Sequence, residues 1–166
     1  DSHTRPACTG RRFSLKLNTE KSAWDEVIAF AAERGFNSIL VDVGDGILYK
    51  SHPEISVEGA WTPEFMNAEI KRLNAMGIKV YPKLNFSAGH DAWLGEYERM
   101  LSTDIYRQVC RDLIDEVCEV FKPRCINICH DEAYVFGYCP KCRGENPGLL
   151  FATHITRLHD HLQNLG

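Results

Sequence analysis

Residues 62–86 read TPEFMNAEIKRLNAMGIKVYPKLNF, and this stretch decides the fold. Thr62 suits a helix N-cap, and Pro63 suits the first helical position, where its missing N–H is no loss. Phe65, Ile70, Leu73 and Met76 form an apolar stripe at helical spacing. Gly77 is the residue type that ends a helix in the left-handed conformation. Ile78 to Phe86 then reads as a strand. A capped helix that runs through one glycine into a strand is part of a βαβ unit, which implies a parallel sheet.

The same order recurs on both sides of this stretch. Phe13 to Leu17 alternates apolar and polar residues, as a short strand does. Thr19 or Ser22 is placed to cap a helix carrying Trp24, Val27, Ile28 and Ala31, with Gly35 as its stop. Phe36 to Val43 is strand-like, and Gly44-Asp45-Gly46 turns it. Thr103 caps a long helix with Ile105, Val109, Leu113, Val117 and Phe121 on one face, and Pro123 lies past its end. Cys125 to Cys129 is strand-like. Leu150 to Leu165 is a last helix with Ile155, Leu158 and Leu162 inward.

Four βα units in a row imply an α/β fold with parallel strands and right-handed crossovers. The loops after the strands are long and rich in His, Asp, Asn and Gly, and the helix-to-strand turns are short. That asymmetry belongs to a (β/α)8 barrel of the TIM type, whose active site lies at the carboxyl ends of its strands. Eight units and about 250 residues make a full barrel; the 166 residues here make a single domain of half-barrel size. Four parallel strands do not close, so their edges and one sheet face need a partner. A second copy of the chain or the remainder of a longer protein would supply it, and the isolated chain is expected to dimerise or aggregate.

The chain is 44% hydrophobic and 25% charged, which excludes general disorder. Its 19 Lys and Arg do not cluster and are outnumbered by 23 Asp and Glu, which argues against a nucleic-acid partner. No apolar run approaches the roughly 18 residues of a membrane helix. The opening Asp1-Ser2-His3-Thr4 has no signal pattern, so a signal was either absent or removed. Seven cysteines are an odd number, and not all can pair within one chain.

The chemistry-bearing residues gather after the strands. Asn127-Ile128-Cys129-His130-Asp131-Glu132 places adjacent carboxylates at a strand end. One can protonate a leaving oxygen while the other holds a substrate group; the alternative is an acidic helix-capping pair. Lys83-Leu84-Asn85-Phe86 leads into Gly89-His90 on the preceding strand, and Asp42 and Asp45 end the strand before that. The three strand ends share one rim. His90 between Asp45 and Glu132 suggests a proton relay, in which Asp45 orients His90 and His90 tunes Glu132.

These motifs resemble those of the family 20 glycoside hydrolases, the β-N-acetylhexosaminidases. The likeness runs from about Phe13 to Leu165 and covers the first half of that family's barrel. Met76 to Asn85 followed by Gly89-His90 is similar to the family's "GI-x-V-I-P-E-I-D…G-H" strand. Asn127 to Glu132 is similar to "H-I-G-G-D-E", and Phe36-Asn37 to Asp45 to "N-x-L…H-L-T-D". The resemblance implies a retaining glycosidase acting on terminal N-acetylhexosamine, with the substrate's own 2-acetamido oxygen as nucleophile. Glu132 would be the general acid, Asp131 would hold and polarise the acetamide, and Asp45 and His90 would back the acid. Asp42, Asn85, His130 and Trp93 are the candidate substrate contacts. No cofactor enters this chemistry, and a secreted or periplasmic setting is implied. The chain departs from the family at Lys83 and Asn85, where Glu and Asp are usual, at Cys129 and His130, where two glycines are usual, and in lacking a clear match to the sugar-clamping Arg after the first strand.

Cys139-Pro140-Lys141-Cys142 is a separate motif. A C-x-x-C turn can aim two thiolates at a structural zinc, with Cys129, His130 or His154 completing the set. A local disulfide and free thiols are its other readings. On the last helix, the spacing of His154, His159 and His161 does not gather them on one face, and solvated side chains are expected there. Trp61 and Trp93 can stack on sugar rings or be buried against the barrel rim, and Tyr134, Phe136 and Tyr138 line or cover the pocket.

Overall fold

A computed structural model describes residues 14–86, 91–98, 103–131, 140 and 142–166. Helix α1 spans Lys21–Glu33, strand β1 Ser38–Asp42, α2 Pro63–Ala75, β2 Lys79–Lys83, α3 Asp104–Phe121 and α4 Pro147–Leu165, with a 3-10 segment at Asp91–Tyr97.

Local chemistry sets most of the helix ends. Oγ1 of Thr62 accepts from the Phe65 N–H at 3.1 Å, and Oγ1 of Thr103 accepts from the Tyr106 N–H at 3.1 Å. Oδ1 of Asn146 caps α4 in the same way, with Pro147 in the first turn. At the far end of α2, Gly77 (φ 80°) donates to the Asn74 carbonyl and Ile78 donates to that of Leu73. This pair of bonds satisfies carbonyls the helix leaves open, and it reverses the chain into β2. Gly35 (φ 76°) and Phe36 repeat the arrangement after α1. At the start of α1 neither Thr19 nor Ser22 is the cap; Glu20 occupies that position and makes no side-chain cap bond.

Strands β1 and β2 pair in parallel, from Ser38 opposite Lys79 to Asp42 opposite Lys83. The segment around Asn127 continues the sheet on the other side of β2. The Asn127 N–H donates to the Pro82 carbonyl at 3.0 Å, and the Leu84 N–H donates to the Asn127 carbonyl at 2.8 Å. The expected strand over Phe13–Leu17 does not join this sheet in its described part. Residues 15–17 instead pair with Glu58 in the loop after β1. Pairing there is decided by a partner far along the chain, which alternation within five residues does not encode.

One face of the sheet is packed and the other is open. Val80 and Pro82 are buried toward α2 and α3, over a core that includes Ile70, Leu73, Ile78, Leu84, Val109, Leu113 and Val117. Side chains alternate along a strand, so Ser38, Leu40, Asp42, Tyr81 and Lys83 share the opposite face. Leu40, at 55% exposure, has no cover there among the described residues. Val27 and Ile105, expected inward, are also exposed, as are Phe65 and Met76 in part; α2 instead buries Met66, Glu69, Ile70 and Leu73. Buried Glu69 is carried by Arg72, Lys21 and the Trp24 indole N–H, which together hold its carboxyl below the usual range against the opposing effect of burial.

Candidate active-site rim

The parallel register sets three polar residues in a row across the sheet. Asp42 lies opposite Lys83, and Lys83 opposite Asn127. All three stand at carboxyl strand ends on the open face, and Lys83 Nζ pairs with Asp42 Oδ2 at 3.4 Å. Two of the expected rim residues therefore neutralise each other. Gly44 (φ 41°) turns the chain after β1, and its carbonyl accepts from the buried Tyr49 hydroxyl at 2.7 Å. That turn sets half-buried Asp45 next to the rim. Burial, reinforced by the negative charge of Asp45, raises the Tyr49 hydroxyl well above its ordinary range, so Tyr49 stays a neutral donor.

Asn85 is only 5% exposed. Its carbonyl accepts from the Trp93 indole N–H at 2.9 Å, while its side-chain Oδ1 is buried without a hydrogen-bond partner. A buried amide oxygen in that condition carries an uncompensated desolvation cost. Trp93 is 4% exposed and packs against Phe86, with ring centroids 5.9 Å apart. No face of its indole is open to stack on a sugar, so the expected platform at Trp93 is replaced by a structural indole. Trp61 likewise serves packing, edge-on to Trp24 and Phe65.

Beyond Asn127 the backbone takes an unusual path. Cys129 has φ 48° and His130 φ 93°. Two successive non-glycine residues on this side of the backbone map cost on the order of 1–3 kcal/mol each, and neighbouring contacts must hold them there. The contacts are present. Asn127 Oδ1 accepts from the Cys129 N–H at 2.8 Å, and Cys129 Sγ donates to Asp131 Oδ1 at 2.7 Å. Burial and the neighbouring Asp131 carboxylate both raise the Cys129 thiol, which keeps its proton for that bond. The turn leaves Asp131 exposed.

His130 is not an open substrate contact. It is 3% exposed, and its Nε2 lies 2.9 Å from Nε2 of His154, itself 2% exposed. Burial lowers His130 to about 4 and His154 to about 3, so both rings are neutral at physiological pH. His154 is therefore not the solvated side chain expected of it. The clue in the sequence is its spacing: Leu150, His154 and Leu158 are four residues apart on one face of α4. His159 is exposed, while Nε2 of His161 meets Asp115 Oδ1 at 2.5 Å.

His90, Glu132 and Cys139 lie outside the described residues, as do Tyr134, Phe136 and Tyr138. The structure thus brings Asp42, Lys83 and Asn127 together at one rim, with Asp131 following Asn127, while the relay from Asp45 through His90 to Glu132 is not described. Cys142 is buried and disulfide-bonded, which removes its sulfur from the thiolates able to ligate zinc. The described residues contain no group of three or more His, Cys, Asp or Glu suited to a metal ion. A cavity of ≈ 310 Å³ between residues 47–50, α2 and α3 is lined by none of the rim residues.

No protein-family model matches the sequence, and no curated protein matches it. Among solved structures, the chain is similar to the crystal structure of β-N-acetylhexosaminidase from Bacteroides fragilis NCTC 9343, with a TM-score of 0.76. Sequence identity is 19%, and the match covers 92% of this chain and 38% of that one. The chain thus spans well under half of the protein it matches, and what the likeness shows is a hexosaminidase-like fold.

Proposed function

We propose that this chain is the first half of a (β/α)8 glycosidase barrel that hydrolyses terminal N-acetylhexosamine with retention. The observation that carries the reading is the turn at Cys129 and His130. It adopts positive φ where the resembling family has two glycines, and it leaves the first of two adjacent carboxylates exposed beyond the rim formed by Asp42, Lys83 and Asn127.

In this reading Asp131 accepts the acetamide N–H of the bound sugar and balances the positive charge that builds on that nitrogen. The acetamide carbonyl oxygen attacks the anomeric carbon. The bond to the leaving oxygen breaks as Glu132 supplies its proton, and water later reverses the first step. Asp45 and His90 are assigned to hold Glu132 in its acid form, and Asp42 to line the sugar site; Asn85, at 5% exposure, is buried like Trp93 and His130 and is not an open substrate contact. The carbohydrate is the substrate, no cofactor takes part, and a second copy or the remainder of a longer chain completes the barrel. A secreted or periplasmic setting belongs to the same proposal, since a disulfide such as that of Cys142 persists in oxidising compartments.

A second reading rests on the Lys83–Asp42 ion pair, which occupies the rim where the resembling family is acidic. It makes the chain a carbohydrate-binding or assembly module without turnover. Glu132→Gln separates the two. In an active enzyme it lowers kcat on substrates with poor leaving groups by about a hundredfold or more, and much less on activated aryl glycosides. Equal losses on both substrate types would remove Glu132 from the role of acid. Absence of turnover with saccharide binding retained would favour the second reading.

A further inference from the structure

His154, the buried histidine of α4, takes no part in the chemistry proposed for Asp131 and Glu132. Its chemistry is set by a contact one residue away. His130 Nδ1 lies 3.0 Å from the Cys129 carbonyl oxygen, which can only accept, so Nδ1 carries the proton. In a neutral ring Nε2 is then an acceptor, and the group facing it at 2.9 Å, Nε2 of His154, is the donor. Hydrogen bonds therefore run from α4, through both rings, to the backbone of the strained turn. The rings of Phe86, Tyr106 and Phe151 pack around the pair and exclude water from it.

We propose that His154 is a positioning residue for the Asp131 carboxylate, acting through His130 to hold the Cys129–His130 turn. The significance for catalysis rests on the reading of Asp131 given above; the mechanical link does not. Cys129 is tied at three atoms. Its N–H donates to Asn127 Oδ1, its carbonyl accepts from His130, and its Sγ donates to Asp131 Oδ1. The carbonyl tie connects this turn to α4. Without a donor at position 154, His130 Nε2 becomes an unsatisfied acceptor in an apolar cage. The ring then shifts, Cys129 and His130 relax toward negative φ, and the bond from Cys129 Sγ to Asp131 is lost.

That last contact gives a readout independent of turnover. Cys129 is held by Asp131 in a partly buried setting, whereas Cys125 is exposed on the same segment. Alkylation by iodoacetamide, followed by peptide mass mapping, gives the rate at Cys129 relative to Cys125, and buried Cys110 reports any global loosening. His154→Leu should raise the Cys129/Cys125 ratio by about tenfold, as the thiol loses its cover, with Cys110 unchanged. His154→Gln, whose amide N–H can stand in for Nε2, should keep the wild-type ratio. His154→Asn, one carbon shorter, should behave like Leu and serves if the Leu variant does not fold. A wild-type ratio in folded Leu or Asn variants would overturn the proposal, as would a Gln variant indistinguishable from Leu.

Kinetics on an aryl N-acetyl-β-hexosaminide supply the second arm. His154→Leu should lower kcat more than it changes KM, and should add no further loss to Asp131→Asn. Full additivity of the two would overturn the link between them. If the wild-type protein does not hydrolyse the substrate, the glycosidase reading fails, and the thiol ratio still decides whether His154 positions Asp131.

Discussion

His130 and His154 are buried as neutral rings, and that makes them sensitive to acid. Burial lowers them to about 4 and about 3, against 6.5 for a solvated imidazole. As pH falls below about 6.5 the unfolded chain takes up protons that the folded chain refuses, so stability drops with pH until the folded rings titrate near pH 4. Above pH 7 this contribution is fully present and flat. The melting temperature should therefore fall by several degrees between pH 7 and pH 5, above the range in which Glu69 and other carboxylates with lowered pKa begin to protonate. The variant carrying both His130→Gln and His154→Gln should flatten that slope. A melting temperature constant over this interval would contradict the buried neutral pair. At this scale sequence identifies the carboxylates but not the surroundings of the rings. Asp131 stands in a readable motif. That Trp93 would be sealed against Phe86, and His130 against α4, depends on contacts between distant segments, and single-residue chemistry does not encode these.

Among the elements, the ends were the most legible. Thr62, Thr103, Gly35 and Gly77 act where their chemistry requires them, because caps and left-handed stops are decided within a few residues. Apolar faces were less legible. Val27 and Ile105 fit the helical stripes yet are exposed, since periodicity marks a face without saying what covers it. Residues 13–17 alternate as a strand does, yet in the described part residues 15–17 pair with Glu58 and not with the β1–β2 sheet. The open face of the β1–β2 sheet carries its own prediction. Leu40 lies opposite Tyr81 on that face and is 55% exposed, an apolar side chain with nothing described above it. The isolated 166-residue chain should self-associate through this face, and Leu40→Lys should shift it toward monomer while preserving the helical circular dichroism. Light scattering on dilute protein is the check. A well-folded wild-type monomer would contradict a sheet that needs a second half.

Across the whole molecule, the parallel pairing of β1 and β2 around α2 agrees with the central βαβ unit read from the sequence, whereas the first expected strand pairs only with Glu58 in its described part and the fourth is reduced to a bridge at Asn127; the fold is hexosaminidase-like. The sheet is smaller than four strands, with β1 and β2 extended by one bridge at Asn127. The hexosaminidase structure that the chain resembles extends well beyond the matched part, which is 38% of that chain. The central claim is that Asp131 reads the 2-acetamido group of a bound sugar at this rim. The most direct measurement is kcat/KM for the wild type and Asp131→Asn, in the protein that carries this chain, on paired aryl β-glycosides with and without that group. The account predicts that the wild type prefers the acetamido substrate, and that Asp131→Asn lowers kcat/KM on it by about a hundredfold or more while leaving the melting temperature unchanged. Unchanged kinetics of folded Asp131→Asn on the acetamido substrate would contradict it.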